Sequence, residues 1–253
     1  MESRFHKKNG AIPISLINWI NLKNEKMKKL RKVAFVIILI AANYSAFAQT
    51  IRVNAGLNIS SIAAKDPQGN TPSDWKSALG FHIGGAVVFP LTEMLSFEPG
   101  IQLTTKGRII DQDVPLPFPS TGTYNIKSTL KLYYIDIPLN LRATYSIGNI
   151  KLFGTFGPYV GMGISGKVKT KVTGFPGSSN PADMKIKWGS GNSDDLKRLD
   201  YGINIGAGAE MKSFSIGFSY GYGFADIFAN PSGDESAKNR VIQVSLGYTI
   251  GGK

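Results

Sequence analysis

The sequence predicts an all-β protein, an eight-stranded antiparallel up-and-down transmembrane β-barrel. Three observations predict it. Large apolar residues alternate with glycine, small and polar residues along eight separate segments. Tight and long connections alternate between those segments. Each apolar face runs for about 10 residues, the length of a tilted strand that crosses a bilayer.

The clearest segment is Leu199 to Phe224. Phe214, Ile216, Phe218, Tyr220, Tyr222 and Phe224 share one face, with Ser215, Gly217, Ser219, Gly221 and Gly223 on the other. Tyr201, Ile203, Ile205 and Ala207 alternate in the same way with Gly202, Asn204, Gly206 and Gly208. A period of two means a strand with different environments on its two sides. Met211, Lys212 and Ser213 leave room only for a tight turn, so the stretch is a hairpin. Its large residues face lipid.

The other strands follow the same logic. The first is Thr50 to Ser60, with Ile51, Val53, Ala55, Leu57 and Ile59 outward. The second is Lys76 to Pro90, the third Leu95 to about Lys106, and the fourth Thr129 to Ser146. The alternation of the fourth slips near Leu132, Tyr133 and Tyr134, which predicts a bulge there. The fifth is Ile150 to about Lys171, and the eighth is Arg240 to Ile250. Turns after strands two, four and six are tight. Long polar connections run over 61–75, 107–128, 173–198 and 226–239. Short turns at one end, long loops at the other and an even strand count describe an outer-membrane barrel. Phe89, Tyr145, Phe214 and Tyr248 mark one interfacial girdle; Phe81, Tyr133, Tyr201 and Phe224 mark the other.

The first 48 residues read as a leader. Met1–Ala48 carries nine basic and two acidic residues, leaving 20 basic and 15 acidic in the rest. Most of the net charge of +12 therefore sits in a segment that export would remove. That withdraws the main support for nucleic-acid binding, and no nucleic-acid partner is expected. Lys28, Lys29, Arg31 and Lys32 precede a short apolar run, which ends at Ala46-Phe47-Ala48. This order is that of a secretory signal peptide over residues 27–48, with 1–26 as an upstream extension. The run falls short of the roughly 20 residues of a membrane helix. Residues 49–253 form the barrel domain, destined for the bacterial outer membrane.

The order of elements, the leader and the C-terminal strand with Tyr248 resemble the porin-like, PorT-type outer-membrane β-barrel family. The fourth strand, YYIDIPLNLRATY, is similar to that family's signature segment, in which an acid precedes a proline and an apolar run. The resemblance implies a barrel in a Gram-negative envelope. It implies no shared catalytic residues.

Few residues offer chemistry. Gly161-Met162-Gly163-Ile164-Ser165-Gly166 fits a dinucleotide motif, but the motif needs a helix next and KVKTKVTG alternates like a strand. No cofactor is expected. With no cysteine and His82 alone after the leader, neither a thiol nucleophile nor a histidine-rich metal site can be built. His82 reads as a satisfied interior residue. Asp111-Gln112-Asp113 and Asp194-Asp195 show no ordered calcium ligand series. No catalytic or metal site is expected.

Charges on the small-residue face are more informative. Arg52, Glu98, Lys106, Asp136, Arg142, Lys151 and Glu210 all point inward by phase. Eight strands enclose space for side chains and little else, so buried charges there must pair. Glu98, Arg142, Asp136, Arg52 and Lys151 are the candidates for an interior salt-bridged plug. Recognition is expected in the long loops, through Trp75, Phe118 in its proline-rich segment, Lys169, Lys185, Lys187 and Trp188. The expected partners are outer-membrane lipid including lipopolysaccharide, and envelope proteins reached through those loops. A small porin or transporter is the alternative, and a soluble lipocalin-like carrier a further one. The carrier needs the large residues inside, which would put glycine, serine and charge on the outside.

Export should remove everything up to Ala48. N-terminal sequencing of the protein from the envelope should begin at Gln49, and a mature chain that retains Met27 would contradict the leader.

Overall fold

The computed structural model describes residues 50–70, 75–117, 121–174 and 182–251. The leader, the Trp75 side chain and Phe118 lie outside the described residues. Nine strands form among those described: β1 (Thr50–Lys65), β2 (Trp75–Pro90), β3 (Leu95–Pro115), β4 (Thr123–Ile147), β5 (Ile150–Thr173), β6 (Ala182–Lys185), β7 (Leu199–Met211), β8 (Phe214–Gly223) and β9 (Ser236–Ile250). Eight of them close a ring in the order β1-β2-β3-β4-β5-β7-β8-β9. All neighbours are antiparallel, and β1 meets β9 from Ile51 opposite Ile250 to Lys65 opposite Ser236. The ninth, β6, is a four-residue strand beside the far part of β5, beyond the point where β7 leaves it.

The outer wall is the predicted one. Leu57, Leu79, Ile83, Phe156, Met162, Phe214, Phe218 and Leu246 are all exposed. Opposite them, the inner face of each strand is buried or half-buried. Exposed apolar side chains at this density suit lipid, where they meet a solvent like themselves. The girdles are there too. Phe214 and Tyr248 stand edge to face at 5.0 Å near the tight turns. At the other end Tyr222 contacts Phe224 at 5.5 Å, and the Arg240 guanidinium lies 3.5 Å over the Tyr222 ring.

The strands run further than their alternation indicated. β3 and β4 stay paired as far as Pro115 opposite Thr123, so much of the long connection 107–128 is ladder rather than loop. β1 continues to Lys65 and β9 begins at Ser236. Within these extensions the chemistry of the two faces is reversed. In β1 the even-numbered residues point inward throughout, but they change from Arg52 and Asn54 to Ile62 and Ala64. In β4 they change from Arg142, Asn140 and Asp136 to Tyr134 and Leu132, while Lys131 and Lys127 take the outer face. The bulge read at Leu132–Tyr134 and the slip in apolar phase there are separate features. A register shift does fall at Tyr133/Tyr134, but its extra residue, Ile164, belongs to β5. β4 itself alternates without a break; what changes is the solvent outside.

These inward apolar residues build a compact cluster above the lipid-facing belt. Ile62, Ala64, Leu132, Tyr134, Leu196, Ile227 and Ala237 are buried together, with Leu130, Ile186, Trp188 and Phe228 packed against them. The loops 186–198 and 224–235 supply part of it and lie across the mouth. Leu196 bridges to Trp188 and to Phe228, and Ile227 donates its N–H to Ala237 O at 2.9 Å.

Leu132→Ala should cost about 2–5 kcal/mol, as for other buried leucines. Ile216→Ala on the lipid face should cost less, because acyl chains fill the space it leaves. Urea titration of both variants folded in lipid vesicles measures the difference, and equal costs would contradict an extracellular core.

Candidate functional site

The interior and the extracellular rim are the two places where this fold gathers polar chemistry. The interior begins with glycine. The inner faces of β7 and β8 carry Gly202, Gly206, Gly208, Gly217, Gly221 and Gly223. A Cβ at Gly202 would lie 2.8 Å from the Tyr159 ring, and one at Gly217 would lie 3.3 Å from Phe153. The missing side chains let these two aromatics of β5 lie across the lumen. Each supports a cation: the Arg142 guanidinium sits 3.5 Å over Phe153, and Lys106 Nζ sits 4.6 Å over Tyr159.

Two charge clusters fill the lumen at different heights. Nearer the tight turns, Arg142 Nη2 donates to Glu210 Oε2 at 2.8 Å, and Arg52 Nη1 donates to the same oxygen at 2.6 Å. Glu98 Oε1 completes the group, 3.4 Å from Arg52 and 3.8 Å from Arg142. Two guanidiniums thus share two carboxylates. Further out, Lys106 is buried between Asp136 at 2.9 Å and Asp200 at 2.8 Å. Asp200 Oδ2 also accepts from Asn239 at 2.9 Å and from Tyr159 at 3.3 Å.

Between the clusters His82 is fully held. Its Nδ1 lies 2.7 Å from Asn58 Oδ1 and its Nε2 lies 2.9 Å from Ser245 Oγ. Asn58 Nδ2 donates to Thr104 Oγ1 at 2.8 Å and to Thr105 O at 3.0 Å, so its carbonyl oxygen faces the histidine. That oxygen can only accept, which places the proton on Nδ1 and leaves Nε2 to accept from Ser245. The order Ser–His–Asn imitates a nucleophile, base and orienting group. Of the three, Ser245 lines a cavity of about 120 Å³, with Asn54, Asn140 and Gln243. That volume holds a few waters at ~30 Å³ each and no acyl chain or sugar. The three side chains tie β1, β2 and β9 together.

Of the sequence candidates, Arg52, Glu98 and Arg142 are brought into one cluster and Asp136 into the other. Lys151 is not: it is exposed, stands opposite Glu210 in register, and makes no ion pair among the described residues. It lies next to the tight turn, where a long side chain reaches water. Asp200 and Tyr159 were missed as interior partners. Asp200 stands one residue inside β7, opposite Gly161, in a position whose inward phase was legible.

The rim candidates divide as well. Lys169, Lys185 and Lys187 are exposed. Trp188 is not a free recognition residue, since its ring meets Tyr134 edge to face at 5.6 Å and covers Gly163. Its apolar area is used to close the barrel. On the β2–β4 side, Asn125 donates to Asp111 at 2.9 Å and Lys76 does so at 3.0 Å, which together hold that carboxyl below its ordinary pKa. The N–H of Asn70, at 2.7 Å, does the same for Asp66.

A family model described as Outer membrane protein beta-barrel domain matches residues 47–229. No curated protein matches the sequence. Among solved structures, the attachment invasion locus protein Ail of Yersinia pestis, in complex with the heparin analogue sucrose octasulfate, is 14% identical with a TM-score of 0.36; the alignment covers 81% of this chain and 100% of that one. Neisserial surface protein A is 12% identical over 80% of this chain and 96% of that one, with a TM-score of 0.39. The outer membrane protein OprG of Pseudomonas aeruginosa is 11% identical over 80% and 96%, with a TM-score of 0.34.

Removing Glu210 leaves two guanidiniums side by side, and removing Arg142 leaves Glu210 with one of its two guanidinium partners. Either single alanine variant should lose about 3–5 kcal/mol of stability. The double variant should lose less than the sum, because each single change already breaks the shared contact. Urea unfolding in lipid vesicles completes the cycle, and strict additivity would mean that the pair does not interact.

Proposed function

Because the chain belongs to the family of outer-membrane β-barrel domain proteins, we propose that it is a closed envelope barrel that acts through its extracellular rim. The observation that carries this is the double seal. Ion pairs fill the lumen in the membrane, and an apolar core with Trp188 packed against it lies across the outer mouth. No solute can pass without breaking one of the two. On this reading the protein is neither a porin nor a transporter, and it has no enzymatic role: among the described residues, the Ser245–His82 pair opens through Ser245 onto a cavity too small for a substrate.

The same reading gives the rim its partners: outer-leaflet lipid including lipopolysaccharide, and envelope proteins reached by the loops. It takes the leader over residues 27–48 as a cleaved signal. The finer place in the PorT-type group rests on YYIDIPLNLRATY, where the acid before the proline is Asp136, one of the two carboxylates that hold Lys106.

Two experiments test it. Planar bilayers with the purified protein should show no stable conductance, and reproducible single-channel steps would restore the porin. Crosslinking in intact cells should capture a partner that is lost when residues 114–119 are deleted. Capture that survives the deletion would move recognition away from that loop.

A further inference from the structure

Beyond the aromatic level, the outer faces of β4, β5 and β6 form one surface. Lys127, Lys131, Lys167, Lys169, Lys171 and Lys185 all point outward there and are exposed. Three pairs of them stand directly opposite each other across the ladders: Lys127 with Lys171, Lys131 with Lys167, and Lys167 with Lys185. Like charges in directly opposed positions destabilise a sheet. Among the described residues, carboxylates near them are few, and Asp113 is bonded to Asn125. Asp183 lies 3.9 Å from Lys169, and Asp111 stands opposite Lys127 but is already bonded to Lys76.

The height of this surface is set by Tyr133, the girdle residue of β4. Lys131 is two residues further out. At ~3.4 Å per residue and a tilt of ~40°, it sits roughly 5 Å above the aromatic level, within the headgroup layer. Lys127 and Lys171 stand about 15 Å above it on the same basis. Three other rim acids, Asp66, Asp234 and Glu235, belong to the ends of β1 and β9, and β1 is four places from β5 in a ring of eight. Asp194 and Asp195 are in the 186–198 loop, where they accept from the backbone N–H groups of Gly191 and Lys187.

We propose that this lysine face is a docking surface for the phosphate groups of the outer-leaflet glycolipid, lipopolysaccharide. The chemistry is complementary in charge and in depth. A multiply phosphorylated headgroup at the membrane surface offers anions at the level of Lys131 and Lys167, and its sugar region continues past Lys169 toward Lys171. A phosphate placed between facing lysines relieves their mutual repulsion. Cationic residues just outside a bilayer attract anionic headgroups in this way. The inference rests on the chain being an outer-membrane barrel with its long connections outward; it does not need the lumen to be closed.

The test uses protein purified from outer membranes and placed in phosphatidylcholine vesicles. One set contains lipid A with its phosphates, the other the same lipid A with the phosphates removed. The unfolding midpoint should be higher in the phosphorylated set, and the gain should shrink as salt is added. Replacing Lys131, Lys167, Lys169 and Lys171 by threonine, which keeps strand propensity, should abolish most of the gain. Arginine at the same four positions should retain it. Equal midpoints for the natural protein in the two lipids would overturn the proposal, as would a threonine variant that keeps the full gain. If free inositol hexakisphosphate raises the midpoint as much in phosphate-free vesicles, the site takes a soluble polyanion and the lipid assignment is wrong. Channel steps in planar bilayers would remove the closed-barrel reading and leave this one standing.

Discussion

Everything in this structure depends on closing the backbone on itself. Inside a bilayer no water can satisfy an unpaired N–H or C=O, and each one left open costs several kcal/mol. A sheet can meet that condition only as a ring. The seam between the first and last strands, β1 and β9, is therefore a continuous ladder, running from Ile51 to Lys65 on β1. The short strand β6 is the informative exception. Among the described residues it pairs with β5 alone, and it lies beyond the bilayer, where water can satisfy its outer edge.

Closing with eight strands fixes the contents of the lumen. The wall is too narrow for large residues on every strand, so β7 and β8 carry glycine at many inner positions and β5 supplies Phe153 and Tyr159 across the gap. Those rings alone cannot fill a lumen whose other inner residues are polar, and Arg142 and Lys106 lie over them. A cation held there must find acids close by. Glu98 and Glu210 meet Arg142 from the neighbouring β3 and from β7, and Asp136 and Asp200 meet Lys106 in the same fashion. Each cluster therefore links three or more strands, and the glycine pattern, the aromatic pattern and the buried charge are consequences of one another.

The barrel class, the strand order and the tight turns were legible because each depends on a local pattern: alternation, apolar length and turn residues. Arg52, Glu98, Arg142 and Asp136 were legible as interior groups because phase alone decides which face they take. Which partner each one meets was less so. Arg142 was within reach of Glu98 by strand adjacency, yet its shorter bond is to Glu210 across the lumen, and distances across a barrel are not encoded by neighbouring strands. Lys151 had the right phase and the wrong height. Trp188 looked like an exposed loop aromatic because nothing local indicates that residues 186–196 turn back over the mouth to meet Tyr134.

The most instructive feature concerns Tyr133 and Tyr134, where the expected bulge falls. A slip in apolar phase ordinarily means that a strand has gained a residue, and here the extra residue does exist, but on β5. The slip in β4 has another origin. Below Tyr134 the surroundings are lipid, so apolar residues face out and polar residues are enclosed; above it the surroundings are water, so the assignment inverts while the backbone continues unchanged. The same inversion occurs in β1 between Ile59 and Ile62. Inverted alternation along a strand that itself gains no residue is thus a sequence mark of the bilayer boundary. It also shows why the outer part of this barrel is ordered. Strands that emerge from lipid with apolar residues turned inward bring their own core with them, and loops such as 186–198 and 224–235 have something to pack against. A rim built this way holds its outward lysines at fixed spacing and fixed height, which a set of free loops could not do.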